Sequence, residues 1–248
     1  MGDHEPSNLV NGAIIAGFWG FVGGSALLLG AGIAWFTQLP QRLVAGVMAI
    51  GAGVLISAVA FDLMDEAYKQ GGFLATAAGF IVGGVAYTAS NVALSRRGAR
   101  HRKRSGSGSH IQQPHADAPE GGDTGLAIAV GALLDGIPES VVIGVSLLGG
   151  SGVSAATVAA VFLSNIPEGL SSAAGMKKAG RSAAYVFGVW GTIAAVSGVA
   201  ALLGNLLLAD AGPETLAAVT AVAAGAILAM LVDTMIPEAT ESTHDYSG

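Results

Sequence analysis

Long apolar runs, broken at intervals by short polar clusters, set the pattern of this chain. Seven runs reach the roughly 20 residues that a helix needs to cross a bilayer. They lie at about 13–36, 42–66, 73–95, 125–149, 153–175, 184–208 and 214–238. Their glycine, alanine and serine content suits helices that pack closely in lipid, where small residues let backbones approach. The pattern predicts an all-α fold, a polytopic transmembrane helix bundle with seven spans. Seven such runs set the chain apart from a soluble helical protein.

Composition agrees with the pattern. Of the 248 residues, 52% are apolar and only 11% are charged, and glycine occurs 38 times. A soluble domain carries about 25% charged residues. The sequence contains no cysteine, which excludes disulfides and thiolate metal ligands alike. Asp3, His4 and Glu5 stand where a signal peptide would have a basic region, so no signal peptide is expected.

The net charge of −6 matters less than where the charges fall. The basic residues are Arg42, Lys69, six between Arg96 and Arg104, and the group Lys177, Lys178 and Arg181. Placing the 96–123 loop in the cytoplasm puts ten of the eleven inside and leaves Lys69 outside. The expected location is therefore the cell membrane, with the N-terminus external. The same loop divides the chain into three helices over 1–95 and four over 124–248. Its basic run, Ser-Gly repeats and spread His101, His110 and His115 read as a disordered, solvated segment. Nothing in the chain calls for a nucleic-acid partner; the lipid bilayer is the expected one.

Chemistry enters with two prolines. The fourth run contains Asp135-Gly-Ile-Pro-Glu139 and the fifth contains Ser164-Asn-Ile-Pro-Glu168. A proline inside a helix frees a backbone carbonyl, and a carboxylate in hydrocarbon is costly. No arginine, lysine or histidine lies in the core of any run. Each carboxylate must then be protonated, be hydrated in a cavity, or share a cation. Asp135 and Glu139 are four apart and share a helix face, as do Ser164 and Glu168, with Asn165 three before Glu168. Asp135, Glu139, Ser164, Asn165 and Glu168 together offer only oxygen donors, the preference of hard or borderline divalent cations.

Further acids sit near span ends. The second run closes on Asp62, Asp65 and Glu66, and the seventh on Asp233 and, after Pro237, Glu238. The ending Ala60-Phe-Asp62-Leu-Met-Asp65-Glu66-Ala67 echoes Leu231-Val-Asp233-Thr-Met-Ile-Pro-Glu238-Ala239. Similar endings on opposite membrane sides are what an inverted repeat produces, with the acids at the outer and inner mouths of one path.

These motifs resemble the ZIP family of divalent-metal transporters. Its fourth helix carries His-Asn-x-Pro-Glu-Gly and its fifth a similar His-x-x-Pro-Glu pattern. Three helices, a long loop, the motif pair and a Pro-Glu-Ala ending occur in the same order across nearly the whole chain. The resemblance implies import of a divalent metal between helices 2, 4, 5 and 7, and in many members a homodimer. Asp135 and Ser164 stand where the family has histidine, and Gly136 where its fourth helix has asparagine. In the sixth run, where many members carry a further acidic ligand, Thr192 and Ser197 are the polar candidates. Family members have eight helices, so the seven runs here imply a lost final helix or a truncated form.

The expected function is therefore transport of a divalent cation (zinc, manganese, iron or cadmium) as substrate, without an organic cofactor or enzymatic activity. Two other classes fit the same carboxylates. One is a proton-coupled carrier of another solute; the other is a non-transporting metal-binding sensor or scaffold. An intramembrane hydrolase lacks its parts, with no His-Glu-x-x-His motif and no histidine in any span.

Overall fold

The structure is a computed structural model that describes residues 6–94, 123–149, 154–178 and 180–241. All five histidines, and the 96–123 loop up to Asp123, lie outside the described residues. Among the described residues the chain is helical with no strand: α1 (Pro6–Phe36), α2 (Gln41–Ala58), α3 (Met64–Leu94), α4 (Asp123–Ser146), α5 (Ala155–Lys178), α6 (Ala183–Leu208), α7 (Pro213–Met230) and α8 (Ile236–Glu241). Two π-turns join helices end to end, Val59–Leu63 between α2 and α3 and Leu231–Met235 between α7 and α8.

Among the described residues, four stretches are long and apolar enough to cross a membrane: Asn8–Phe36, Gln41–Leu94, Ala183–Leu208 and Pro213–Thr240. The second merges two of the expected runs. Gly72 divides it, with φ 68° and ψ −175°, in the left-handed region that favours glycine. The break falls where the sequence separates its second and third runs. Large apolar side chains cover the outside, among them Phe36 (82% exposed), Phe61 (81%) and Leu74 (81%). On a water-soluble protein so extensive an apolar surface is a liability, whereas a bilayer solvates it.

Contacts between small residues fix the directions of the helices. In α1, Gly17 meets Leu202 and Gly24 meets Ala194, so α1 and α6 are antiparallel. Gly23 meets Val161 and Gly30 meets Ile166 and Leu170, so α1 and α5 are parallel. Gly136 approaches Ser197 and Gly144 approaches Ala201, which makes α4 parallel to α6. In α3, Gly71 meets Ala217 and Gly83 meets Val222, so α3 runs with α7. Asp62 reaches Thr157 whereas Gly51 reaches Pro167, which makes α2 antiparallel to α5. The first π-turn packs on α7 while α2 packs on α8, so α2 also opposes α7. Successive helices from α1 to α7 therefore alternate in direction.

Packing divides the helices into two groups. The α3–α7 pair, joined by α2, encloses a core that includes Met48, Leu55, Ile227, Met230 and Met235. The other group, α1, α4, α5 and α6, holds Leu27, Leu170, Trp190 and Ile193. The closest approaches are backbone to backbone. A methyl group on Gly83 would collide with the Val222 carbonyl, and one on Gly30 with the Ile166 carbonyl. In lipid, where burying apolar surface gains little, such van der Waals contact is the main attraction between helices. The groups meet where α2 crosses α5 and α4 crosses α7, and both proline motifs lie at that boundary.

Candidate functional site

The two proline motifs sit inside α4 and α5, and their polar residues are buried. Asp135 and Glu139 are each 2% exposed, Ser164 1%, Asn165 4% and Glu168 9%. Burial follows from how α4 and α5 lean on α1. A Cβ placed on Gly23 would lie 3.3 Å from Ile143 of α4 and 3.3 Å from Val161 of α5. Glu139 lies one turn before Ile143, and Asn165 one turn after Val161. Because α4 and α5 run in opposite directions, this puts Glu139 and Asn165 in the same layer.

Local bonds hold the motif residues. Asn165 Nδ2 donates to the Gly23 carbonyl at 3.1 Å, which leaves its amide oxygen for another partner. Ser164 Oγ donates to the Val161 carbonyl at 2.9 Å, and Ser140 Oγ to the Gly136 carbonyl at 2.6 Å. Pro167 presses on α2, where its Cγ lies 2.8 Å from a Cβ built on Gly51. Met235 of the second π-turn approaches the same glycine, so the α5 kink, α2 and that turn meet at one place.

Neutral donors from neighbouring helices bind several of the acids. Tyr87 Oη of α3 donates to Asp135 Oδ1 at 2.7 Å. Asn91 of α3 donates to Asp233, and Ser171 of α5 donates to Glu238. Asp62 Oδ2 accepts from Ser154 Oγ at 3.1 Å and Thr157 Oγ1 at 2.5 Å. Ser154 also caps α5, accepting from the Thr157 amide at 3.1 Å. Asp62 therefore rests at a helix N-terminus, where the helix dipole favours negative charge.

The expected trio of Asp62, Asp65 and Glu66 is divided. Only Asp62 turns onto α5. Asp65 pairs with Lys69 at 2.6 Å on the exposed surface, and Glu66 accepts from Gln70 at 3.0 Å. The two polar candidates of α6 also part. Thr192 is exposed and bonds back to the Gly188 carbonyl at 2.8 Å, whereas Ser197 is buried facing Gly136.

Sequence reasoning missed the donors and the π-turns. Tyr87 and Asn91 are four apart, so one face of α3 serves both Asp135 and Asp233; that spacing was a usable signal. Asp62 and Asp233 each lie within a π-turn, and these turns overlap the first half of the echoed endings. A π-turn adds one residue to a helical turn and often marks a functional site. No group of three or more acidic or histidine side chains among the described residues is close enough to hold a metal ion. Asp135, Glu139, Glu168 and Glu238 are thus buried, whereas Asp65 and Asp233 are exposed, and no three of the described acids converge on one point.

A scan against protein-family models found no match, and a search of curated proteins likewise found none.

Proposed function

We propose that this chain is an integral membrane carrier of divalent cations, with seven crossings and an architecture resembling the ZIP family. The observation that carries the reading is the buried polar layer between α1, α4 and α5. Asp135, Glu139, Asn165 and Glu168 are buried there as a set of oxygen ligands, the kind that suits a divalent cation. Ser164 is a weaker candidate because its hydroxyl proton is used within α5. Asp62 on one side and Asp233 and Glu238 on the other would pass the ion to and from this layer. The alternating helix directions and the antiparallel π-turns of α2 and α7 support the inverted-repeat component of the proposal. The basic residues favour an external N-terminus in the cell membrane, and import toward the cytoplasm is what the resemblance implies.

The reading requires Glu139 and Glu168 to draw together on a shared ion. Its test is uptake of zinc, manganese, iron(II) and cadmium into proteoliposomes, for the parent and for Glu139→Ala plus Glu168→Ala. Saturable flux of at least one metal, reduced at least about tenfold by the double substitution, is expected. Flux unchanged by the substitution sinks the site assignment.

A second reading, a proton-coupled carrier of another solute, draws on the neutral hydroxyl and amide donors that hold Asp62, Asp135, Asp233 and Glu238. Carboxylates held this way can exchange protons without a metal. Flux driven by a pH gradient in metal-free buffer supports that reading; metal binding without any flux supports a sensor or scaffold.

A further inference from the structure

A cavity of about 360 Å³ opens at the end of the bundle where α1 ends, α2 begins and α5 ends, lined by α5 from Leu170 onward, past its proline motif. Its polar lining comprises Thr37, Gln38, Gln41, Lys177 and Lys178, with no carboxylate among the described lining residues. The volume falls in the range of small-molecule sites. Lys177 meets neutral groups: its Nζ donates to the Trp35 carbonyl at 2.5 Å and lies 5.5 Å from the Trp35 ring centre. These contacts position its charge without cancelling it. The N-cap of α2, Pro40, supplies no side-chain cap, so the positive end of that helix dipole also faces this end of the bundle. Leu170 and Ala174 form an apolar floor.

We propose that this cavity binds a phosphate group, and the geometry points to the headgroup of an anionic phospholipid. Lysine ammoniums and polar side chains at a rim suit the phosphate, while an apolar floor at the membrane boundary suits the adjoining acyl region. Arg42, just after the α2 start, adds to the positive field without lining the cavity; Arg181, after α5, does not line it either and is directed elsewhere. Arg181 is engaged over the Tyr185 ring at 5.2 Å. The chemistry is shared with inorganic phosphate, so the test must separate the two sources.

The full-length chain is reconstituted in phosphatidylcholine nanodiscs holding a minor fraction of phosphatidylglycerol. The lipid retained after transfer to detergent is then measured by mass spectrometry. Enrichment of phosphatidylglycerol over its bulk fraction is expected for the parent. Lys177→Gln plus Lys178→Gln should lower the enrichment about tenfold. Arg181→Gln should leave it unchanged. Ala174→Phe, which fills the cavity without altering charge, should abolish it, and this variant decides the matter if the double lysine variant does not fold. Binding of inorganic phosphate that depends on the two lysines, without lipid enrichment, keeps the phosphate site and reassigns its source. Absence of both kinds of binding in the parent overturns the proposal. So does retention by the filled cavity, or a loss in Arg181→Gln equal to that in the double variant.

Discussion

Tyr87 donates a hydrogen bond to Asp135 across 2.7 Å, and both residues are buried. They lie 48 positions apart, on either side of the long basic loop. This bond ties α3 to α4 and fixes the acid that stands where the resembling family has histidine. Structural and ligating roles of Asp135 can therefore be separated by substitution at both ends of the bond.

Tyr87→Phe should leave a buried carboxyl with one donor fewer and cost about 1–3 kcal/mol, read as a lower melting temperature in detergent. Asp135→Asn keeps an accepting oxygen for Tyr87 and should cost less stability. If Asp135 serves the ion, the asparagine variant nonetheless loses metal flux. Equal losses of flux and stability in both variants would mean that Asp135 only holds α4 to α3.

Close backbone packing makes a contrast between two glycines. Gly30→Val forces a side chain against the Ile166 carbonyl and should cost about 1–3 kcal/mol or more, because α1 and α5 must separate. Gly46 of α2 meets nothing within 4 Å, so Gly46→Ala should be neutral or gain up to about 1 kcal/mol from helix propensity. Thermal unfolding followed by circular dichroism checks both, and comparable melting temperatures for the two variants would refute the packing account.

Acid should oppose metal transport. A carboxylate must be deprotonated to bind a cation, so protonation removes ligands as the pH falls. Metal uptake by proteoliposomes should decline from neutral pH toward pH 5 and recover on return. Flux that instead rises with an inward proton gradient, and does so without metal, favours the proton-coupled carrier.

The first π-turn offers a further test. Ser154→Ala plus Thr157→Val removes both donors to Asp62. Asp62 is only half-buried, so water compensates in part, but the α5 cap goes with Ser154, and the loss of stability should be about 1–3 kcal/mol. Flux should fall more steeply than stability if Asp62 receives the ion at the outer mouth. A wild-type transport rate in this variant would reduce the Asp62 contacts to a local anchor.

Much of the secondary structure was legible because each helix must satisfy its own backbone in lipid, and apolar length reports that requirement directly. The break at Gly72 fell in the polar gap between two apolar runs for the same reason. Pro138, Glu139, Pro167 and Glu168 were visible as polar exceptions in apolar surroundings. Their partners were not. Whether Tyr87 faces Asp135, or Ser171 faces Glu238, depends on how each helix is rotated about its axis. Close contacts such as Gly83 with Val222 and Gly30 with Ile166 settle that rotation, and hydropathy does not register it. The two π-turns were also hidden, since one extra residue in a helical turn leaves apolar length almost unchanged yet swings Asp62 and Asp233 toward new neighbours. The sequence by itself determined which segments are helical and which acids those helices carry. Only the tertiary structure decided that Asp62, Asp135, Asp233 and Glu238 accept from neutral donors on adjacent helices, because helix rotation and spacing arise from packing between segments far apart in the chain.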